Sequence, residues 1–149
     1  MDRNRKVKIL VVEDDEQYQR FLGELLTEMG YTPFLARTGW EGLKDCQLEE
    51  PQLVLTDIFM PHLDGVKFIE LIRKSDYFIP IIAMTGGIGG KEKEHHLQSA
   101  WLRGADATIS KPIDPDVLRS KIESLLKTYA EMREARGHSN AETGPDTND

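Results

Sequence analysis

The sequence predicts an α/β fold: a five-stranded parallel sheet with the strand order 2-1-3-4-5, doubly wound, with helices on both faces. Short apolar segments alternate five times with longer amphipathic segments along the 149 residues. Strands and helices that alternate in this way form parallel sheets through right-handed crossovers. Residues 9–12 and 53–55 are apolar throughout, and for the second of these segments the pattern predicts a strand that is covered on both faces.

The first strand and the first helix are the clearest elements. Residues 7–12 are apolar and mostly β-branched apart from Lys8, and they lead into an acidic segment, residues 13–16. From Tyr18 to Met29, apolar residues recur at spacings of three and four, which predicts an amphipathic helix. Gly30 is typical of the end of such a helix.

The second strand and helix follow. Residues 31–36 predict a short strand, and Pro33 places it at a sheet edge because proline cannot donate to a strand ladder. Thr38 can cap a second helix that extends to about Leu48. The third strand, residues 53–57, begins with three apolar residues and ends in a carboxylate.

The C-terminal half continues the alternation and then changes in composition. The remaining predicted elements are a helix that begins at 64–65, a strand at 81–84, a helix at about 92–103, a weak strand at 106–110 and a helix at about 115–134. Residues 137–149 are polar and lack large apolar side chains, which predicts disorder. We therefore expect one domain over residues 1–136, followed by a disordered polar tail.

The composition argues against several classes of protein. Lys and Arg total 19 against 26 Asp and Glu, a net charge of −7, whereas nucleic-acid binding and a polybasic membrane patch both require a basic surface. A single cysteine, Cys46, fits a reducing compartment. No apolar segment approaches the roughly 18 residues of a membrane helix, and the N-terminal one is too short for a signal peptide. We expect a cytoplasmic protein without nucleic-acid partners or membrane insertion.

Carboxylates are predicted to gather at the carboxyl edge of the sheet. The order 2-1-3-4-5 places the first and third strands side by side, with the topological switch point between them. Asp57 ends the third strand, and Glu13 and Asp14 follow the first. Gathered carboxylates repel one another, and a hard divalent cation such as Mg²⁺ relieves that repulsion. The alternatives are a turn-capping role for Asp57 and a solvated helix N-terminus for residues 13–16.

Two further polar residues end strands at the same edge. Thr85 ends the fourth strand and Lys111 follows the fifth. A carboxylate nucleophile, a divalent ion, an ammonium group and a hydroxyl together suit phosphoryl transfer, because the cations offset charge on the transferring oxygens and the hydroxyl donates a hydrogen bond to one of them. Lone Lys and Thr residues are usually surface or turn residues, so it is their shared edge that favours this chemistry.

Five short motifs carry a resemblance to a known family. They are VVEDD at 11–15, DIFMP at 57–61, DG at 64–65, MT at 84–85 and KP at 111–112. In this order they resemble the response-regulator receiver domain, the CheY-like family with a flavodoxin-like fold, in its single-domain type. The resemblance covers about residues 6–130. It implies that Asp57 accepts a phosphoryl group from a sensor histidine kinase or a histidine phosphotransfer protein.

The resemblance also implies roles for the other site residues. The groups that would hold Mg²⁺ are Asp14, Asp57, the backbone carbonyl of Phe59 and, through a water, Glu13. Thr85 and Lys111 would contact the phosphoryl group. We expect no enzymatic activity beyond the protein's own phosphorylation and dephosphorylation.

The implied output is a protein contact. In this family phosphorylation remodels the face formed by the fourth helix, the fifth strand and the fifth helix, which would bind a downstream protein; we expect a monomer or a weak dimer. Unless the chain is a fragment of a larger regulator, the residues after 136 are too few for an output domain, so none is expected. Two departures concern this output: Thr108 occupies the position of the usual aromatic switch residue, and glycine fills most of residues 86–90.

Two other functions are compatible with these residues. A phosphorylation-independent interaction module on the same fold could retain the pocket, and a failure to gain mass with acetyl phosphate and Mg²⁺ would favour it. A phosphatase with an aspartyl nucleophile generally needs a second acid two residues after the first, and Phe59 occupies that place.

Overall fold

Five parallel strands form one sheet. The computed structural model describes residues 6–60, 65–75, 77–86 and 104–143. The strands are β1 (Lys8–Val12), β2 (Thr32–Ala36), β3 (Leu53–Asp57), β4 (Ile81–Thr85) and β5 (Ala107–Ser110). Their order in the sheet is β2-β1-β3-β4-β5, which confirms the predicted fold class and the edge position of β2.

Four helices lie in the described part of the chain. They are α1 (Glu16–Glu28), α2 (Gly39–Glu49), α3 (Gly65–Lys74) and α4 (Pro115–Thr143). The last of these is the fifth helix of the prediction, because the predicted helix at 92–103 lies outside the described residues. Residues 87–90 of the glycine-rich segment lie outside them as well.

The last helix is longer than the sequence predicts. α4 continues to Thr143, whereas the prediction ended it near Glu134 and assigned residues 137–149 to a disordered tail. The prediction rested on polar composition, but a helix exposed to solvent needs no apolar face to continue, and the tail contains no proline before Pro145. Its first seven residues are therefore helical, and those after Thr143 lie outside the described part of the chain.

The sheet separates two apolar clusters, as expected for a doubly wound fold. Along β3, Val54 packs in one cluster, and Leu53 and Leu55 pack in the other. The first cluster includes residues of α2 and α3, and the second includes residues of α1 and α4. Every residue of β3 and β4 is buried, which confirms that the central strands are covered on both faces.

A side chain caps each of the first two helices, and the sequence predicted the second of these caps, Thr38. The Asp15 side chain caps α1 by accepting a hydrogen bond from the Tyr18 N–H (3.1 Å), and Thr38 caps α2 in the same way. Gly30, just after α1, has a φ of 95°, a conformation that glycine adopts without strain. These caps fix where each helix begins relative to the strand before it.

A polar network ties the sheet together at the edge opposite the strand ends that carry Asp57 and Lys111. The Arg73 guanidinium donates to the Asp106 carboxylate (2.9 Å) and to the Gly104 carbonyl (3.0 Å). The same carboxylate accepts hydrogen bonds from the Tyr129 hydroxyl (2.9 Å) and the Ile81 N–H (2.8 Å). α3 and α4 are thereby anchored to the beginnings of β4 and β5. None of the helices in the described ranges has the length and apolarity required to cross a membrane.

Candidate functional site

Three carboxylates meet at the carboxyl edge of the sheet. Val12 is paired with Thr56 across β1 and β3, so the residues that follow them, Glu13 and Asp57, lie side by side. Each of Glu13, Asp14 and Asp57 places one carboxylate oxygen within 4.8 Å of the other two. Glu13 is 1% exposed and Asp57 is 5% exposed, while Asp14 is open to solvent. The structure thus brings together the acids that the topology predicted to converge.

A lysine ammonium joins the two buried acids. Lys111 follows β5, and its backbone N–H donates to the Thr85 carbonyl (2.8 Å). Its Nζ donates to Glu13 Oε1 and to Asp57 Oδ2, the latter at 3.2 Å. Lys111 therefore lies against Asp57, the predicted nucleophile, and its ammonium is shared between two acids.

The electrostatics of this group are shifted by burial and by contact. The pKa of Glu13 is raised to about 7, mainly by burial and in smaller part by the nearby Asp57 charge, although hydrogen bonds from Lys111 and the Asp15 N–H oppose the rise. Burial alone would lower the pKa of Lys111, but its hydrogen bonds and attraction to Glu13 and Asp57 outweigh burial, so its pKa is raised. The lysine consequently stays charged at neutral pH.

Thr85 lies at the same edge but does not donate to the acids. It ends β4, is 1% exposed, and its hydroxyl donates a long hydrogen bond of 3.5 Å to Ser110 Oγ. Ser110 ends β5 and is a polar neighbour that the sequence reasoning did not single out. The Thr85 hydroxyl can rotate toward a new acceptor at little cost, because a hydrogen bond of this length is weak.

The backbone after Asp57 is held close to the site. The Phe59 N–H donates to Asp57 Oδ1 (3.2 Å), which orients the carboxylate and places the backbone of Phe59 beside it. The start of α3 packs against this strand end, where the Gly65 N–H donates to the Ile58 carbonyl (2.9 Å). A Cβ on Gly65 would lie 1.9 Å from the Asp57 carbonyl oxygen, so only glycine permits this approach.

Residues 9–123 match the sequence profile of the family described as "Response regulator receiver domain". The match covers most of the chain and includes every residue of the site. The chain belongs to the response regulator receiver domain family. Receiver domains of this family are phosphorylated on an aspartate, use Mg²⁺ and interact with histidine kinases or phosphotransfer proteins.

Relatives at the level of sequence and structure agree with this assignment. The chain is 39% identical over 129 residues to the probable transcriptional regulator ycf27 of Cyanophora paradoxa, covering 85% of this chain and 51% of that protein. It is 31% identical over 120 residues to the alkaline phosphatase synthesis transcriptional regulatory protein PhoP of Bacillus subtilis, covering 80% and 48%. The crystal structure of NtrX from Brucella abortus has a TM-score of 0.80 at 27% identity, covering 89% of this chain and 29% of that one. The chain spans about half the length of the two curated regulators.

The acidic cluster of this receiver domain fits a magnesium ion. Its donors are all carboxylate oxygens, one exposed and two buried, and hard divalent cations prefer such oxygens. The resemblance also implies the backbone carbonyl of Phe59 as a ligand, which stays a prediction; the N–H of the same residue donates to the Asp57 carboxylate. Glu13 already accepts from Lys111 and from the Asp15 N–H (3.0 Å), which suits it to an indirect role through water.

The switch position of this receiver domain is occupied by a small residue. Thr108 lies on β5 opposite Ala83 of β4 and is half-buried. Threonine has no ring that could rotate between inward and outward positions, which is the movement expected of an aromatic residue at this position. Thr108 thus lies on the strand that leads to Lys111, and its effect on the output stays a prediction.

Two residues of α1 contact the site, and the sequence reasoning missed both roles. The Tyr18 ring centroid lies 4.5 Å from Lys111 Nζ, and the Gln19 amide donates to the carbonyls of Glu13 (3.3 Å) and Ala36 (3.1 Å). Helical periodicity marks Tyr18 only as part of an apolar face, and nothing in the spacing of Gln19 indicates a bridge between two strands. Both residues follow the acidic motif closely, which is the one signal that could have drawn attention to them.

Proposed function

We propose that this chain is the phosphoacceptor module of a two-component signalling system and that Asp57 receives the phosphoryl group. The observation that carries the proposal is the Lys111 ammonium, which joins the buried Glu13 and Asp57 carboxylates at the switch point of the sheet. A purely capping Asp57 would need neither burial nor a cationic neighbour. The donor would be a phosphohistidine of a sensor kinase or a phosphotransfer protein.

The residues of the chain can perform each step of the transfer. Asp57 Oδ attacks phosphorus, the phosphorus–nitrogen bond of the phosphohistidine breaks, and the imidazole leaves and takes up a proton. The products are an acyl phosphate on Asp57 and an unmodified histidine. Lys111 is placed to offset negative charge on the transferring oxygens. The Thr85 hydroxyl is free to exchange its weak bond to Ser110 for one to a phosphoryl oxygen.

Magnesium would be held by the exposed and buried carboxylates of the same cluster. Asp14 and Asp57, with the backbone carbonyl of Phe59, are the proposed ligands, and Glu13 would act through a water. When bound, the ion supplies charge that brings together a phosphate and two acids that otherwise repel one another. Lys111 complements this charge from the β5 side.

The signal would leave by protein contact at the surface that includes β5 and α4. We propose that the chain acts in the cytoplasm as a monomer or weak dimer, and that it catalyses only its own phosphorylation and dephosphorylation. Thr108 argues that the output does not depend on an aromatic switch at that position. The downstream partner would then recognise a rearrangement of backbone and of Thr85 rather than a rotated ring.

A mass measurement tests the acceptor. The wild type, Asp57→Asn and Asp116→Asn are each incubated with acetyl phosphate and Mg²⁺, and the intact proteins are weighed. Asp116 is an exposed aspartate at the start of α4 and serves as the matched control. We expect the wild type and Asp116→Asn to gain one phosphoryl group and Asp57→Asn to gain none. A gain that persists in Asp57→Asn would refute the acceptor, and no gain in the wild type would favour a phosphorylation-independent interaction module.

A further inference from the structure

Tyr18 contacts the strand-5 end of the site in two places. Its ring lies against the Lys111 ammonium, with 4.5 Å from Nζ to the ring centroid. Its hydroxyl accepts a hydrogen bond from the Ile113 N–H at 2.9 Å. One side chain of α1 therefore holds both the charged head of Lys111 and the backbone two residues beyond it.

An aromatic ring suits the position beside the Lys111 ammonium better than an acidic side chain would. The Lys111 ammonium already donates to two buried acids, and a third carboxylate would add to their repulsion. An aromatic face attracts the ammonium without bringing another negative charge into the cluster. The ring also restricts the long, flexible side chain of Lys111 to one position. An aliphatic residue in place of Tyr18 could fill the same space but would not attract the ammonium.

A second aromatic ring of α1 lies beside Tyr18. Phe21, one turn further along α1, packs against Tyr18 edge to face with 5.4 Å between ring centroids. Phe21 is itself 41% exposed. Tyr18 is half-buried and is the aromatic residue through which α1 reaches Lys111.

We propose that Tyr18 is a positioning residue for phosphoryl transfer: its ring holds the Lys111 ammonium at the acceptor, and its hydroxyl fixes the backbone that carries Lys111. This inference rests on the proposed function, since it assigns to Tyr18 a part in the phosphorylation of Asp57. The two halves of the side chain have separable effects. Removal of the ring affects the rate, and removal of the hydroxyl affects the backbone at Ile113.

The test compares four proteins: the wild type, Tyr18→Phe, Tyr18→Leu and Phe21→Leu. Each is phosphorylated with acetyl phosphate and Mg²⁺, because a small donor needs no protein docking surface, and the rate is measured as a function of donor concentration. We expect Tyr18→Leu to lower the rate at saturating donor about three- to tenfold, the range of one partly buried cation–π contact. Tyr18→Phe, which keeps the ring, and Phe21→Leu, the matched aromatic control, should remain within about twofold of the wild type.

Two NMR readouts separate positioning from general stability. In the wild type and Tyr18→Phe, the ε-methylene protons of Lys111 should be shifted upfield by the ring, and Tyr18→Leu should lose that shift. Tyr18→Phe should exchange the Ile113 amide proton faster than the wild type, and Phe21→Leu should not. If Tyr18→Leu does not fold, the chemical shift of the Lys111 ε-methylene protons in the wild type is the deciding measurement. Protons that are not shifted upfield would overturn the proposal.

The outcomes also distinguish this inference from the function on which it rests. A wild type that gains a phosphoryl group, together with Tyr18→Leu at the wild-type rate, would overturn the role of Tyr18 and leave Asp57 as the acceptor. If Phe21→Leu slows phosphorylation as much as Tyr18→Leu does, the role of Tyr18 would also be overturned. The slower rate would then come from a general change in the surface of α1 and not from loss of the contact with Lys111. A wild type that gains no phosphoryl group would overturn both proposals.

Discussion

Gly65 is the residue whose replacement should most directly disturb the acceptor. It begins α3, and an ideal Cβ built on it lies 1.9 Å from the Asp57 carbonyl oxygen and 2.7 Å from Ile58 Cα. Both neighbours are backbone atoms of the strand end that carries the acceptor, so they cannot move aside as a flexible side chain would. To restore ordinary contact, the start of α3 and the end of β3 would have to separate by about 1.5 Å, in an interior packed as densely as a crystal.

The cost of Gly65→Ala follows from that overlap. Overpacking in a dense interior typically costs about 1–3 kcal/mol and occasionally more, and a clash with backbone belongs at the upper end. Alanine returns at most about 1 kcal/mol through its higher helix propensity. We expect Gly65→Ala to lower the free energy of unfolding by about 2–4 kcal/mol. It should also slow phosphorylation, because the displaced atoms include the backbone of Asp57.

Two other helical glycines provide graded controls for urea unfolding followed by circular dichroism. A Cβ on Gly23 would lie 3.4 Å from the Leu35 side chain, so Gly23→Ala should be neutral or stabilising by about 0.5–1 kcal/mol. A Cβ on Gly42 would lie 2.9 Å from Val12 Cγ2 and 3.0 Å from the Phe68 ring, so Gly42→Ala should cost about 1 kcal/mol. A Gly65→Ala protein as stable as the wild type, or a different order of the three variants, would refute the reasoning.

Three further predictions concern titration and the polar network. Burial, and then the hydrogen bond and charge of Asp106, raise the pKa of the Tyr129 hydroxyl above its usual 10.0. The protonated hydroxyl therefore stabilises the folded state fully below pH 10, and this contribution is lost as the pH rises through the pKa of the folded protein. Tyr129→Phe should show a shallower alkaline fall in unfolding free energy than the wild type, and an equal slope would contradict this. Burial raises the pKa of Cys46 to about 12, so a thiol reagent at pH 8 should react on the order of 10³-fold more slowly with the native protein than in urea; comparable rates would contradict the burial. Asp106→Ala should cost about 3 kcal/mol or more by urea unfolding, because it leaves Arg73 and the Ile81 N–H without their shared acceptor, whereas a loss below about 1 kcal/mol would show that water replaces the carboxylate.

The fold was predictable because its signals are local and repeated. Each strand lies within one residue of its predicted bounds, since a short apolar segment between turn residues has few other interpretations. Parallel order then follows from the crossover rules, and the convergence of Glu13 with Asp57 follows from that order. The end of α4 could not be predicted in the same way, because a polar helix and a polar disordered tail have similar compositions.

The acids of the site were predictable, but their supports were not. A carboxylate at a strand end is visible in the sequence, whereas the partner that orients it comes from another element and can be of many types. Ser110 beside Thr85 and Gln19 between Glu13 and Ala36 are such partners. Their positions depend on strand register and side-chain direction, which hydrophobic spacing does not encode.

The first turn of α1 supports the site in three independent ways, which gives this helix a role beyond covering the sheet. The Asp15 N–H donates to Glu13 Oε2 (3.0 Å), Gln19 holds the Glu13 carbonyl, and Tyr18 lies against Lys111. Lys111 donates to Asp57, and Glu13 lies beside Asp57 and accepts from the same ammonium. Both residues thus contact one helical turn, and we expect a displacement of that turn to alter the surroundings of the acceptor. We therefore expect events at Asp57 to be felt at the surface of α1 through these packed side chains, by a route that does not pass through Thr108.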